Sequence, residues 1–176
     1  LNGAVVPELL QNDCTPEKIT DVLLALFRDE SRMEAMQTQL STLLPLLAGG
    51  GSEAAAEAIG EPPSRVLKTL VVQVDGKPAC IVLPSDREAS MKKVAAAFGG
   101  KSAAMMPVAD AERMTGYKVG GVSPFGQRKK LRTVVEAVAL NEPYVFVNGG
   151  QRGLQAKLLP ADLLRGADAS AVAIVA

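Results

Sequence analysis

Apolar residues change their rhythm partway along the chain. Ile19, Val22, Leu23, Leu26 and Phe27 recur at helical spacing, and Thr15-Pro16-Glu17 ahead of them has the makings of a helix start: a hydroxyl cap, a proline at the first helical position and an acid in the first turn. Asp29 opens a second predicted helix, with Met33, Met36, Leu40, Leu43, Leu44 and Leu47 along one face and Pro45 kinking or ending it. Gly49-Gly50-Gly51 then breaks the pattern. A short helix is predicted over residues 53–59, behind Ser52 as cap and ahead of Pro62-Pro63.

From residue 65 the periodicity belongs to strands. Residues 66–74 and 79–83 are predicted strands joined by the hairpin signal Asp75-Gly76. A helix follows over 88–98, closed by Gly99-Gly100, then a short strand at 103–106 and a short helix at 109–114. Beyond a glycine-rich loop come strands at 133–137, 144–147 and 154–158, with a turn at Asn148-Gly149-Gly150, and a helix over 161–165. Strands and helices mix without βαβ alternation, which predicts an α+β fold. The expected organisation is a helical appendage at 1–48, a linker at 49–51 and a mixed domain at 52–176.

Composition narrows the chemistry. Aromatic residues make up 3% of the 176, so the core must be built of Ala, Val, Leu and Ile. Lys+Arg and Asp+Glu number 19 each, so an anion-binding surface has to come from local clusters such as Arg128, Lys129 and Lys130. Histidine is absent, which removes every His-based triad, Cys-His pair and His-ligated metal site. Cys14 and Cys80 lack CxxC spacing and read as small buried hydrophobes of a reducing compartment. No apolar run is long enough to span a bilayer, and Leu1-Asn2-Gly3 does not open a signal peptide, so a cytoplasmic protein without membrane contact is expected.

Three stretches could carry chemistry. Lys68 lies in an apolar run beside Leu67, Leu70 and Val71, either as an outward-facing strand lysine or as a cation aimed into a pocket. Gly120-Gly121-Val122-Ser123-Pro124-Phe125-Gly126 lacks the Lys-Ser/Thr of a phosphate-binding P-loop; it is either a plain surface loop or a cradle of backbone N–H groups for an anion. Asn148-Gly149-Gly150-Gln151-Arg152-Gly153-Leu154 is either a glycine-rich hairpin turn or a second wall of the same pocket.

Together these stretches resemble the YbaK/EbsC-type aminoacyl-tRNA deacylases, relatives of the editing domain of bacterial prolyl-tRNA synthetases, over about residues 52–165. The resemblance is carried by Val66-Leu67-Lys68-Thr69-Leu70, Met91-Lys92-Lys93, Thr115-Gly116-Tyr117, Gly120-Gly121-Val122-Ser123-Pro124 with Gly126, and the Gly-Gly-x-Arg-Gly-Leu turn. It implies a compact mixed α/β domain with a convoluted, barrel-like sheet. The implied function is a trans-editing hydrolase that deacylates mischarged tRNA, Cys- or Ala-tRNA(Pro). On this resemblance Lys68 is catalytic, and Thr69, Tyr117, Gly120, Gly121, Ser123, Pro124, Asn148, Gly149, Gly150 and Arg152 bind substrate. The basic residues after the loop would face phosphates. No cofactor or metal is implied, because for Cys-tRNA the substrate's own thiol is thought to attack the ester. The implied partners are the aminoacylated 3′ end of tRNA and prolyl-tRNA synthetase.

The chain departs from the pattern at Asn148, where the family usually has Ser, and in lacking upstream of Ser52 the family's first helix and aromatic-bearing strand; Gln155 fills the position after Gly-Leu. These departures leave a second reading, a catalytically inactive tRNA- or synthetase-binding module of the same fold. Upstream, Val5-Val6-Pro7-Glu8-Leu9-Leu10-Gln11 and the two helices resemble the C-terminal end of lipid-A-disaccharide synthase.

Overall fold

The structure, a computed structural model, describes residues 52–176 together with Asp29 and Ser31. The expected appendage and linker lie outside the described residues apart from those two; Ser31 is helical and donates its hydroxyl to Asp29 at 2.7 Å. The chain divides into two units, Leu1–Pro45 and Leu46–Ala176, and the elements named here belong to the second.

Their order is α1 (Ser52–Ile59), β1 (Leu67–Val74), β2 (Lys77–Pro84), α2 (Met91–Ala97), β3 (Ala103–Met105), α3 (Val108–Thr115), β4 (Arg132–Glu136), a 3-10 turn (Ala137–Asn141), β5 (Val145–Asn148), β6 (Gln155–Leu158), α4 (Pro160–Ala167) and β7 (Ala169–Val172). Five strands form one sheet in the order β3-β1-β2-β4-β7, and β5 and β6 form a separate hairpin. β1 runs antiparallel to β2 and β3, whereas β2-β4 and β4-β7 are parallel. The large sheet is open, with β3 and β7 at its edges, and is not closed into the barrel-like form expected. At Asp75-Gly76 both residues take positive φ, 47° and 77°, the pair that a tight hairpin turn requires.

Side chains alternate across β1 and β2 and divide the core between the two faces of the sheet. Val72, Val74, Ala79, Ile81 and Leu83 pack with Val94 of α2, Val134 and Ile174 on one face. On the other, Leu67 and Val82 pack with Val145, Val147 and Leu163, and Val71 and Cys80 pack with Ala111, Val122 and Leu131. This second face carries both the glycine-rich loop and the β5-β6 hairpin.

Three local expectations shift. The helix predicted from residue 88 begins at Met91, because Glu88 and Ala89 pair with the C-terminal segment through Ala176 N–H to Glu88 O at 2.9 Å and an Ala89–Val175 bridge. The 3-10 turn after β4 had no sequence signal; the Glu136 carboxylate starts it by accepting from Val138 N–H, and its other oxygen accepts from the N–H groups of Ile174 and Val175. β7, also unexpected, follows α4 directly, because Asp168 turns the chain with φ 50°.

Candidate active site

The glycine-rich loop begins where α3 ends, with Gly116 as a left-handed cap at φ +81°. Tyr117 ties the loop into a ring: its hydroxyl donates to Phe125 O at 2.7 Å, and its N–H donates to the buried Thr115 hydroxyl at 3.2 Å. Val122 enters the cluster of Val71 and Cys80, and Phe125 packs against the cluster of Leu67 and Val82, so both ends of the loop are fixed to the sheet. Ser123 and Pro124 are buried; the Ser123 hydroxyl accepts from Phe125 N–H, and Ser123 O accepts from Gln127. The N–H groups of Gly120, Val122 and Ser123 have no hydrogen-bond partner among the described residues; Gly120 is exposed, whereas Val122 and Ser123 are buried, where an unpaired N–H is rare.

The turn after β5 meets this loop. The Asn148 amide donates to Gly120 O at 3.2 Å, and its Oδ1 accepts from Gly150 N–H at 2.9 Å. Arg152 donates twice to Val119 O, from Nε at 2.9 Å and Nη2 at 2.7 Å. The backbones approach so closely that a Cβ on Gly121 would lie 3.0 Å from Arg152 N, and one on Gly150 would lie 2.8 Å from the Tyr117 ring. Between them opens a cleft of about 460 Å³ lined by Gly116, Tyr117, Lys118, Gly121, Gly150, Gln151 and Arg152.

The cleft is rimmed by cations. Lys118 and Arg152 line it, and the Arg128 side chain lies 3.6 Å from the Cβ position of Gly116. Lys130 pairs with Asp168 at 2.7 Å; Arg128 and Lys129 make no ion pair among the described residues. The cleft-side carboxylate is Glu112, which pairs with Lys118 at 2.7 Å and accepts from Val119 N–H at 3.1 Å. The Lys118 ammonium, then the Val119 N–H, hold its carboxyl below the usual range. Burial pushes the Cys80 thiol up to about 11, so beneath the loop it remains a neutral packing group and not a nucleophile.

Of the residues expected at the site, Tyr117, Gly120, Gly121, Ser123, Pro124, Asn148, Gly149, Gly150 and Arg152 belong to these two apposed segments. Lys68 does not line the cleft. Strand alternation puts it on the face of Leu70 and Val72, opposite the glycine loop, and its ammonium donates to Ser85 O at 3.0 Å. Thr69 shares the loop's face, and its Oγ1 is buried without a partner among the described residues; so is Oε1 of Gln155, which pairs in register with Asn148. Sequence reasoning missed Lys118, Gln151 and Glu112. Gln151 stands inside the quoted 148–154 stretch and Lys118 directly follows Thr115-Gly116-Tyr117, whereas Glu112 comes from α3, seven residues ahead of the Val119 N–H that it accepts from.

Comparison with known proteins bears on this geometry. The family described as aminoacyl-tRNA editing domain matches residues 49–165. A candidate Cys-tRNA(Pro)/Cys-tRNA(Cys) deacylase of Enterococcus faecalis, EbsC, is 37% identical over 115 residues, covering 64% of this chain and 70% of that protein. The multifunctional Ser/Thr-tRNA deacylase ProXp-y of Escherichia coli K12 is 28% identical over 123 residues, covering 67% of this chain and 74% of its own length. A crystal structure of a candidate trans-editing enzyme for prolyl tRNA synthetase superposes with a TM-score of 0.66 at 21% identity, over 71% of this chain and 79% of that one, which shows the fold. A separate similarity, to lipid-A-disaccharide synthase of Xanthomonas campestris pv. campestris, is partial: 37% over 60 residues, 34% of this chain and 14% of that enzyme.

Proposed function

The chain belongs to the aminoacyl-tRNA editing domain family, and from that premise we propose that it acts in trans as a hydrolase of misacylated tRNA. Cys-tRNA(Pro) and Ala-tRNA(Pro) are the first substrates to test. The observation that supports this reading best is the meeting of the glycine loop and the 148–152 turn across a rimmed cleft, held by Asn148 to Gly120 O and Arg152 to Val119 O.

In this reading the 3′-terminal adenosine and its aminoacyl ester enter the cleft, with the tRNA phosphates along Arg128 and Lys129. Unpaired N–H groups of the loop stabilise the negative charge that develops on the ester carbonyl oxygen. A water molecule, or for Cys the substrate's own thiol, attacks the ester carbonyl; the acyl C–O bond breaks and the ribose oxygen takes the proton that the nucleophile gives up. Attack by water releases the free amino acid, and attack by the thiol releases a cyclic thioester that water then opens; the protein contributes position and field. Lys68 enters as the catalytic cation on the resemblance alone, and to act it would have to leave Ser85 O. We place the enzyme in the cytoplasm with translation, and prolyl-tRNA synthetase is its proposed partner; among the described residues no helix is long and apolar enough to cross a membrane.

The engagement of Lys68 by Ser85 O favours a second reading, a module of the same fold that binds tRNA or a synthetase without hydrolysing the ester. A deacylation panel separates the two. The protein is incubated with tRNA(Pro) carrying Cys, Ala or Pro and with Ser- and Thr-charged tRNA, and release of the amino acid is followed. Hydrolysis of at least one misacylated species, with Pro-tRNA(Pro) spared, supports the enzyme. Binding without hydrolysis of any species supports the module.

A further inference from the structure

We propose that Glu112 is a positioning residue for the glycine loop, fixing the backbone at Val119 so that the peptide entering Gly120 has one orientation; its activity readout rests on the deacylase reading. Both polar backbone groups of Val119 are held by side chains. Its N–H donates to Glu112 Oε1 at 3.1 Å, and its carbonyl accepts from Arg152 Nε and Nη2 at 2.9 and 2.7 Å. The next carbonyl, of Gly120, is held by Asn148, and Gly121 N–H closes the turn on Lys118 O at 2.9 Å.

The consequence is geometric. A trans peptide directs N–H and C=O oppositely, so anchoring Val119 O on Arg152 turns the Gly120 N–H away from that guanidinium and leaves it without a protein partner among the described residues. Gly120 has φ +88°, a conformation that side-chain-bearing residues rarely adopt, so the flanking anchors fix a turn that only glycine accepts easily. Glu112 is the one member of this set that comes from a helix; α3 is joined to the sheet through Ala111, so the carboxylate transmits a fixed position to an exposed loop.

A plain surface ion pair with Lys118 is the competing account. The side chains of Lys118 and Glu112 are 80% and 24% exposed, and a pair with one partner in water contributes little to stability. The contact that constrains the loop is therefore the one to Val119 N–H. Arg152 adds a second, weaker opposite charge near the Glu112 carboxylate.

The test compares Glu112→Ala with Glu112→Gln in the full chain, reading amide hydrogen exchange at Val119 and steady-state deacylation. The glutamine oxygen can still accept from Val119 N–H; alanine offers nothing. In Glu112→Ala the Val119 amide should exchange about tenfold faster or more, and kcat should fall by about tenfold with KM changed less than about threefold. Glu112→Gln should stay within about threefold of wild type in both readouts. Unchanged exchange at Val119 in the alanine variant overturns the proposal, as does equal damage by both substitutions. If the wild-type chain hydrolyses no misacylated tRNA, the deacylase reading fails by itself and the exchange data alone decide the anchoring role.

Discussion

Asn148 and Gly120, 28 residues apart in sequence, are joined by an amide-to-carbonyl hydrogen bond of 3.2 Å, and the same side chain accepts from Gly150 N–H at 2.9 Å. One buried side chain thus ties the turn after β5 both to itself and to the glycine loop. Asparagine does this because it carries a donor and an acceptor at the same reach. A serine at this position has one oxygen on a shorter arm.

Asn148→Ala should therefore loosen both segments. We expect a loss of about 1–2 kcal/mol in stability from the stranded carbonyl and N–H groups, and a fall in kcat/KM of about 10- to 100-fold. Asn148→Ser should fall between alanine and wild type. Thermal melts and deacylation rates on the same preparations check this; an alanine variant matching wild type in both would show that the bridge is dispensable.

Lys68 gives a sharper division of roles. If it is the catalytic cation, Lys68→Ala should lose about 10²–10³ in rate while melting close to wild type. Lys68→Arg should also lose most of its rate, because a planar guanidinium does not replace a compact ammonium. If its bond to Ser85 O is its whole contribution, the alanine variant should melt earlier and keep its turnover per folded molecule. Rate and melting temperature measured side by side distinguish the two.

Asp75 sets a pH dependence. The N–H of Lys101, then the N–H and hydroxyl of Ser102, hold its carboxylate below the ordinary range. A folded-state value below the unfolded one means a stabilising contribution present in full above the unfolded pKa and lost as pH falls through the folded one. The melting-temperature gap between wild type and Asp75→Ala should be widest at neutral pH and shrink as the pH drops below about 4. A gap that is constant across this range would show that the charge on Asp75 is immaterial.

Much of this fold could be read from the sequence because its strands are short and apolar, with turn residues between them. Leu67–Val74 and Lys77–Pro84 were legible from β-branched runs around Asp75-Gly76. β7 was not, because Ala169-Ser170-Ala171-Val172 has little strand propensity and pairs only because β4 offers it a parallel edge. The meeting of the glycine loop with the 148–152 turn was legible only through the resemblance; nothing in local spacing brings the two together. Glu112 could not be found, since an acid on an exposed helix face looks the same whether it meets water or a loop N–H. Lys68 shows the converse. Its residue type and its place in the motif were legible, but the face of the sheet it occupies depends on pairing register.

The central claim is that the apposed loop and turn form the hydrolytic site, and Gly121→Ala tests it most directly. A methyl there would meet Arg152 N at 3.0 Å and Gln151 C at 3.2 Å, backbone atoms that yield only if the two segments part. The measurement is the single-turnover deacylation rate of wild type and Gly121→Ala on the preferred misacylated tRNA, with melting recorded for both. The account predicts measurable hydrolysis by wild type and at least about a tenfold slower rate for the variant, with the fold retained. Hydrolysis by Gly121→Ala at the wild-type rate would contradict it.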